Sequence, residues 1–124
     1  MESRHKMYIF VNNDLKMDKG KIASQVGHAV QHIVDDILTN YYAGFNTYKQ
    51  IYEDYTIWKN YNGCVKIILK ATFEQLLALK ELSGSTFVID AGKTQIDPGS
   101  LTVVAFYPKS SKKMENEFSK YKLL

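Results

Sequence analysis

A single cysteine among 124 residues rules out an internal disulfide, so packing and hydrogen bonding must hold this chain together. Cys64 heads an extended run with no partner motif for nucleophilic use, and a reducing compartment suits it best. No apolar run approaches bilayer-spanning length, and residues 1–6 lack the hydrophobic stretch of a secretion signal. These absences predict a cytoplasmic protein, in the host cytoplasm if the source is a virus. Repeats, linkers and low-complexity segments are missing too. The expectation is one domain over residues 1–124, with a flexible tail at 1–6 and enough length to bury a core. Arginine is nearly absent: Arg4 stands beside fifteen lysines. The net charge of +3 permits a nucleic-acid partner without demanding one, because a local patch is what counts.

What the chain does have is concentrated at residues 14–29, Asp-Leu-Lys-Met-Asp-Lys-Gly-Lys-Ile-Ala-Ser-Gln-Val-Gly-His-Ala. This reads as a strand end, a tight turn and the first turns of a long helix. Lys19 and Lys21 fall in the opening turn, where the helix dipole favours acids instead. Such a local violation points to a functional site, and lysines beside unpaired backbone N–H groups suit an anion. Further on, Ile22, Val26, Ala29, Val30, Ile33 and Ile37 form an apolar stripe, and Lys21, Gln25, His28 and His32 form a polar row beside it. That row reads equally as a solvated face. Gly27 inside a helix costs about 1 kcal/mol against alanine and suggests close approach of another backbone.

Hydrophobic patterning gives the order β-α-(α)-β-α-β-β-α. The apolar run 7–13 is a strand buried on both faces, and the helix 18–42 follows it. A tyrosine-rich segment, 41–61, can be helical over 47–60. Its Tyr48, Ile51, Tyr55 and Trp58 suit core packing, and stacking on unpaired RNA bases is the functional alternative. Strands are expected at 65–70, 86–90 and 101–107. Helices are expected at 73–83, capped by Thr72, and from Ser110 or Ser111 to about residue 121. The fold class is α/β: a single-domain three-layer sandwich, with a small four-stranded mixed sheet and helices on both faces. Sites in such sheets lie beyond the carboxyl ends of the strands. If strands one and three are parallel, Asp90, Lys93, Thr94 and Gln95 face Lys19, Lys21, Gln25 and His28.

Other chemistries fit less well. His28 and His32 are spaced like half a metal site, but no third ligand is placed by any spacing, so no metal is expected. Gly92-Lys93-Thr94 is like the end of a P-loop, but Phe87 occupies the position of its first glycine and no helix follows.

The stretch Asp14-Leu-Lys-Met-x-Lys-Gly-Lys-Ile-Ala-x-Gln-x-Gly-His-Ala carries a resemblance. So do Trp58, Lys66-Ile-Ile-Leu-Lys70, Asp90-Ala-Gly-Lys-Thr-Gln-Ile-x-Pro-Gly-Ser-x-Thr-Val and the terminal Tyr121-Lys-Leu-Leu124. Together, across residues 7–124, they resemble the archaeal/eukaryotic-type (second type) peptidyl-tRNA hydrolase family. The resemblance implies a cofactor-free esterase that releases peptide from tRNA after aborted translation, often as a homodimer. It implicates His28, Asp90, Lys19, Gln25 and Thr94 in catalysis and Lys16, Lys21, Lys93 and Gln95 in holding the acceptor end and its phosphates. The general base is left open between His28 and Asp90. Val26 stands where many relatives carry cysteine, which excludes a catalytic thiol there, and Lys93 stands where arginine is common. The segment between His28 and Trp58 is longer and richer in tyrosine than usual. A non-catalytic tRNA- or protein-binding module on the same fold is the alternative.

Overall fold

The structure, a computed structural model, describes residues 4–91 and 99–124. Its strands are β1 (Met7–Asn12), β2 (Lys66–Ala71), β3 (Ser85–Ile89) and β4 (Leu101–Phe106). Its helices are α1 (Lys19–Tyr42), α2 (Tyr48–Tyr61), α3 (Phe73–Lys80) and α4 (Lys112–Phe118). All six residues of β1 and of β4 are buried, as unbroken apolar runs require of central strands. The sheet order is β2-β1-β4-β3. β1 pairs parallel with β2, while β4 runs antiparallel to β1 and β3. The carboxyl ends of β1, β2 and β3 therefore share one sheet edge, which is the condition on which the expected site depended.

Two cores flank the sheet. Ala29, Ile33 and Ile37 of α1 and Tyr55 and Trp58 of α2 pack on Met7, Ile9, Val11, Val88, Val103 and Ala105. On the other face Leu76 and Leu79 of α3 and Phe118 of α4 cover Tyr8, Phe10, Leu69, Val104 and Phe106. This is the three-layer α/β sandwich. α3 starts with a reciprocal cap, in which Thr72 Oγ1 accepts from Gln75 N–H and Gln75 Oε1 accepts from Thr72 N–H. It ends earlier than the expected 83. The Ser85 hydroxyl reaches the carbonyls of Lys80 and Leu82 at 3.0 and 2.8 Å, satisfying acceptors that a longer helix would have used.

The tyrosine-rich segment divides. Tyr55 and Trp58 are core residues, and the Trp58 indole N–H donates to the Val65 carbonyl at 2.7 Å. Tyr41 stacks on Tyr52 at the margin of the core, with ring centroids 3.7 Å apart. Cys64 sits half-buried at φ +55° in the turn before β2, packed against the α1–α2 core. One expectation fails. A Cβ on Gly27 would meet nothing within 4 Å, so no backbone approaches there; the glycine lies on the open side of α1.

Both ends of the described chain are tied down. His5 Nε2 lies 2.8 Å from Asp54 Oδ1, and Lys6 Nζ lies 2.8 Å from Glu115 Oε1. At the other end, Lys70 N–H donates to the Lys122 carbonyl at 2.8 Å, and Leu124 N–H donates to Ile68 at 3.0 Å. The terminal residues thus cover the outer edge of β2, the usual remedy for an unpaired strand.

Candidate active site

Asn12 ends β1 and is nearly inaccessible. Its Nδ2 donates to the Leu101 carbonyl at 2.8 Å, while its Oδ1 accepts from Asp14 N–H at 2.9 Å. The turn that follows is thereby pinned to the start of β4, and α1 begins directly over the carboxyl edge of the sheet. Asp90, one residue past β3, is fixed through its own backbone: its N–H donates to Ser100 at 2.9 Å and its carbonyl accepts from Gly99 at 3.0 Å. Lys21 in the first turn of α1 and Asp90 then meet as an ion pair, with side chains only 9% and 4% exposed. Lysine and aspartate are seldom this buried unless paired. Lys21 was expected to hold phosphate or the developing oxyanion; its charge is balanced by Asp90. An ammonium has three donors, and among the described residues only Asp90 takes one.

The polar row on α1 does not behave as one face. Gln25, one turn beyond Lys21, is 3% exposed and its Nε2 donates to Thr102 Oγ1 at 2.8 Å. The single proton of Thr102 goes to the Val88 carbonyl at 3.2 Å, so its oxygen can only accept from Gln25. This fixes the amide orientation. Gln25 Oε1 has no partner among the described residues, yet no buried side-chain polar atom among them is left unpaired. Oε1 therefore reaches the surface, ready to accept a hydrogen bond.

A β-bulge makes this arrangement. Val88 pairs with Val103 but Ile89 pairs with Leu101, leaving Thr102 as the extra residue. The alternation breaks there. Leu101 packs in the α3–α4 core, whereas Thr102 and Val103 both turn toward α1. Sequence reasoning missed Thr102 and Asn12. The available signal was a lone polar residue in each of two otherwise apolar strands.

The remaining expected residues lie differently. His28 and His32 are exposed and make no hydrogen bond among the described residues. His28 is seven residues beyond Lys21, about 10 Å along the helix axis at the usual rise. Lys16, at φ +51°, and Lys19 are exposed on the turn and at the start of α1. Lys93, Thr94 and Gln95 lie outside the described residues, as does Pro98 of the expected Pro-Gly turn. No group of three or more histidine, cysteine, aspartate or glutamate residues able to hold a metal occurs among the described residues. Nor is any helix among them long and apolar enough to cross a membrane.

Comparison with known proteins agrees with this geometry. Residues 5–124 match the family model described as Peptidyl-tRNA hydrolase PTH2. A peptidyl-tRNA hydrolase of Sulfolobus acidocaldarius is 36% identical over 125 residues, covering 96% of this chain and 99% of that protein. One from Thermoplasma acidophilum is 30% identical, with 96% and 97% covered. The human mitochondrial peptidyl-tRNA hydrolase 2 is 39% identical over 84% of this chain and 55% of its own length. With fold, motifs and near full-length matches in agreement, the chain belongs to the peptidyl-tRNA hydrolase PTH2 family.

Proposed function

We propose that the Lys21–Asp90 pair is the reacting centre of a peptidyl-tRNA hydrolase, which cleaves the ester joining a peptide to the terminal ribose of tRNA. The observation that carries the reading is the burial of that pair at the carboxyl edge of the sheet, next to the open Gln25 Oε1. An ester yields to a positioned water, a base and an oxyanion donor. In this reading Gln25 Oε1 accepts a hydrogen bond from the water, and Asp90 takes the water's proton as its oxygen bonds to the ester carbon. The unused N–H groups of Lys21, with Lys19 and the α1 N-terminus, hold the developing oxyanion. Collapse breaks the bond to the ribose oxygen, which takes the proton from Asp90 to give a free ribose hydroxyl, while the peptide acid loses the water's second proton to solvent and leaves as the carboxylate. Asp90 is preferred to His28 as base because it already touches Lys21, so proton acceptor and oxyanion donor lie side by side. Thr94 is assigned to the same centre, Lys16, Lys93 and Gln95 to the acceptor end, and His28 to contact with the substrate.

The test is turnover of purified peptidyl-tRNA. Asp90→Asn should lose about 10²- to 10⁴-fold, the range for removing a general base, while circular dichroism stays native. Full activity of that variant would end the assignment. Activity is expected to survive EDTA, since no third ligand accompanies His28 and His32 among the described residues.

A cytoplasmic location, and a part in returning tRNA to translation after ribosome rescue, belong to the same proposal. A homodimer is also proposed, supported by outer strand β3, whose Phe87 and Ile89 remain 42% and 46% exposed. Light scattering that gives a monomer mass at micromolar protein would remove it.

A further inference from the structure

We infer that a second basic site, at the far end of the same sheet edge, seats the phosphates of the nucleotides preceding the one that bears the ester. A cleft of about 230 Å³ opens where β2 ends, lined by Asn13, Thr72, Gln75, Lys70, Lys120 and Lys122, with Ala71 and Tyr121. Three of its residues are lysines and none is acidic. The cleft that contains Asp54 pairs it with Lys109, and the adjoining cleft that contains Glu117 shares Lys120 and Tyr121 with this one.

The lysines are held in register by the backbone. The Lys70 N–H to Lys122 carbonyl bond and the Leu124 N–H to Ile68 bond fix the terminal residues against β2. Lys122 is therefore anchored beside Lys70 rather than carried on a loose tail. Lys120 lies at the end of the same segment, its ammonium 5.6 Å from the Tyr121 ring centroid. Backbone donors at the start of α3 are spent: Phe73 N–H goes to Asp14 Oδ2, and Thr72 and Gln75 N–H go into the reciprocal cap. An anion entering this cleft lies among three lysine residues, whose ammonium groups act as point charges suited to a polyanionic backbone.

The position fits the substrate. β2 and β3 are separated by β1 and β4, three strand spacings or about 15 Å, so the cleft lies that far from Asp90 along the edge. Asn13, which follows β1, lines the cleft, and the exposed Lys16 and Lys19 follow it toward the reacting centre. An RNA end with its ester at Lys21 and Asp90 would thus run across the top of β1 past Lys19 and Lys16 to Lys70 and Lys122. The seat rests on the reading of this chain as a peptidyl-tRNA hydrolase, which wild-type turnover of peptidyl-tRNA tests separately.

The experiment measures tRNA affinity against salt for wild type, for the triple variant Lys70→Gln, Lys120→Gln, Lys122→Gln, and for Lys112→Gln, Lys113→Gln. The last pair begins α4, at the opposite end from the cleft. The log–log slope of the triple variant should flatten by roughly two units, while the α4 pair leaves it unchanged. Equal flattening by both variants would replace the seat with diffuse attraction, and an unchanged slope in the folded triple variant would remove it. Weaker binding of inorganic phosphate with an unaltered tRNA slope would mean that the cleft takes free phosphate, and would also overturn the proposal.

Discussion

Two polar clusters, one buried and one half-buried, lie at opposite ends of α1, and they are built to opposite ends. At the start of the helix, Lys21 and Asp90 form an ion pair, and Gln25 is oriented by Thr102 with its carbonyl oxygen left open. Toward the C-terminal half, Asp36 accepts from the hydroxyls of Tyr107 and, at 3.0 Å, Tyr48, whose oxygens are 3.1 Å apart. The second cluster closes on itself, with each phenol answered by the carboxylate or the other phenol. The first has donors and an acceptor to spare, beside the exposed Lys16 and Lys19. A buried polar group alone does not mark a site; unspent hydrogen-bonding capacity that reaches solvent does.

The sharpest way to break this comparison is to remove a charge from the open cluster. Lys21→Met leaves Asp90 without its ammonium, and losing one partner of a buried pair costs about 3 to 5 kcal/mol. The double variant Lys21→Met, Asp90→Leu should recover most of that stability in urea melts and none of the turnover. Recovery of turnover would show the pair to be structural.

The closed cluster should respond in stability alone. Tyr107→Phe deletes one hydroxyl from a satisfied network and should cost about 1 to 3 kcal/mol with turnover at the wild-type level. Burial first, then the hydrogen bonds to Asp36 and Tyr48, push the Tyr107 phenol far above the ordinary tyrosine range. The unfolded chain releases that proton near pH ~10 while the fold retains it, so the unfolded state binds fewer protons and stability falls as pH rises from there. The slope from this group is about 1.4 kcal/mol per pH unit. Alkaline melts of wild type should therefore steepen relative to Tyr107→Phe. Parallel curves would place Tyr107 outside the titrating set.

Thr102 tests how far the open cluster depends on orientation. Thr102→Val keeps the shape but removes the only group among the described residues that fixes the Gln25 amide, at a stability cost of about 1 kcal/mol. Turnover should drop through kcat rather than KM, and Thr102→Ser should restore it. A loss confined to KM would mean that Gln25 binds substrate and does not hold the water.

Much of this was legible in the chain because it is local or periodic. The unbroken apolar runs of β1 and β4 announced central strands, Thr72 announced the α3 cap, and lysines at a helix start drew attention to the candidate site. What stayed hidden depends on register. A bulge of one residue turns Thr102 toward α1; its polarity singled it out in Leu101–Phe106, but nothing in the chain showed which face of the sheet it would take. Strand topology had set Asp90 opposite Lys21, Gln25 and His28 alike, and helical spacing alone could not separate Lys21 and Gln25 from His28 and His32. Gly27 misled for a related reason: a small residue records room, and here the room faces solvent.

His28 should give the smallest effect. It is exposed, without a hydrogen bond among the described residues, and His28→Ala should change stability by less than about 0.5 kcal/mol, as surface substitutions do. Its side chain leans back along α1 toward Lys21, as helical side chains do, so it can touch the substrate without reaching Asp90. Turnover should fall several-fold, with KM carrying the change. The shape of the pH–rate profile decides its role. With Asp90 as base, the profile of His28→Ala should keep the limbs of wild type. Disappearance of a limb in the histidine range would return the base to His28. Asp90 would then be the residue that holds Lys21 in position, and the open cluster would extend two turns further along α1.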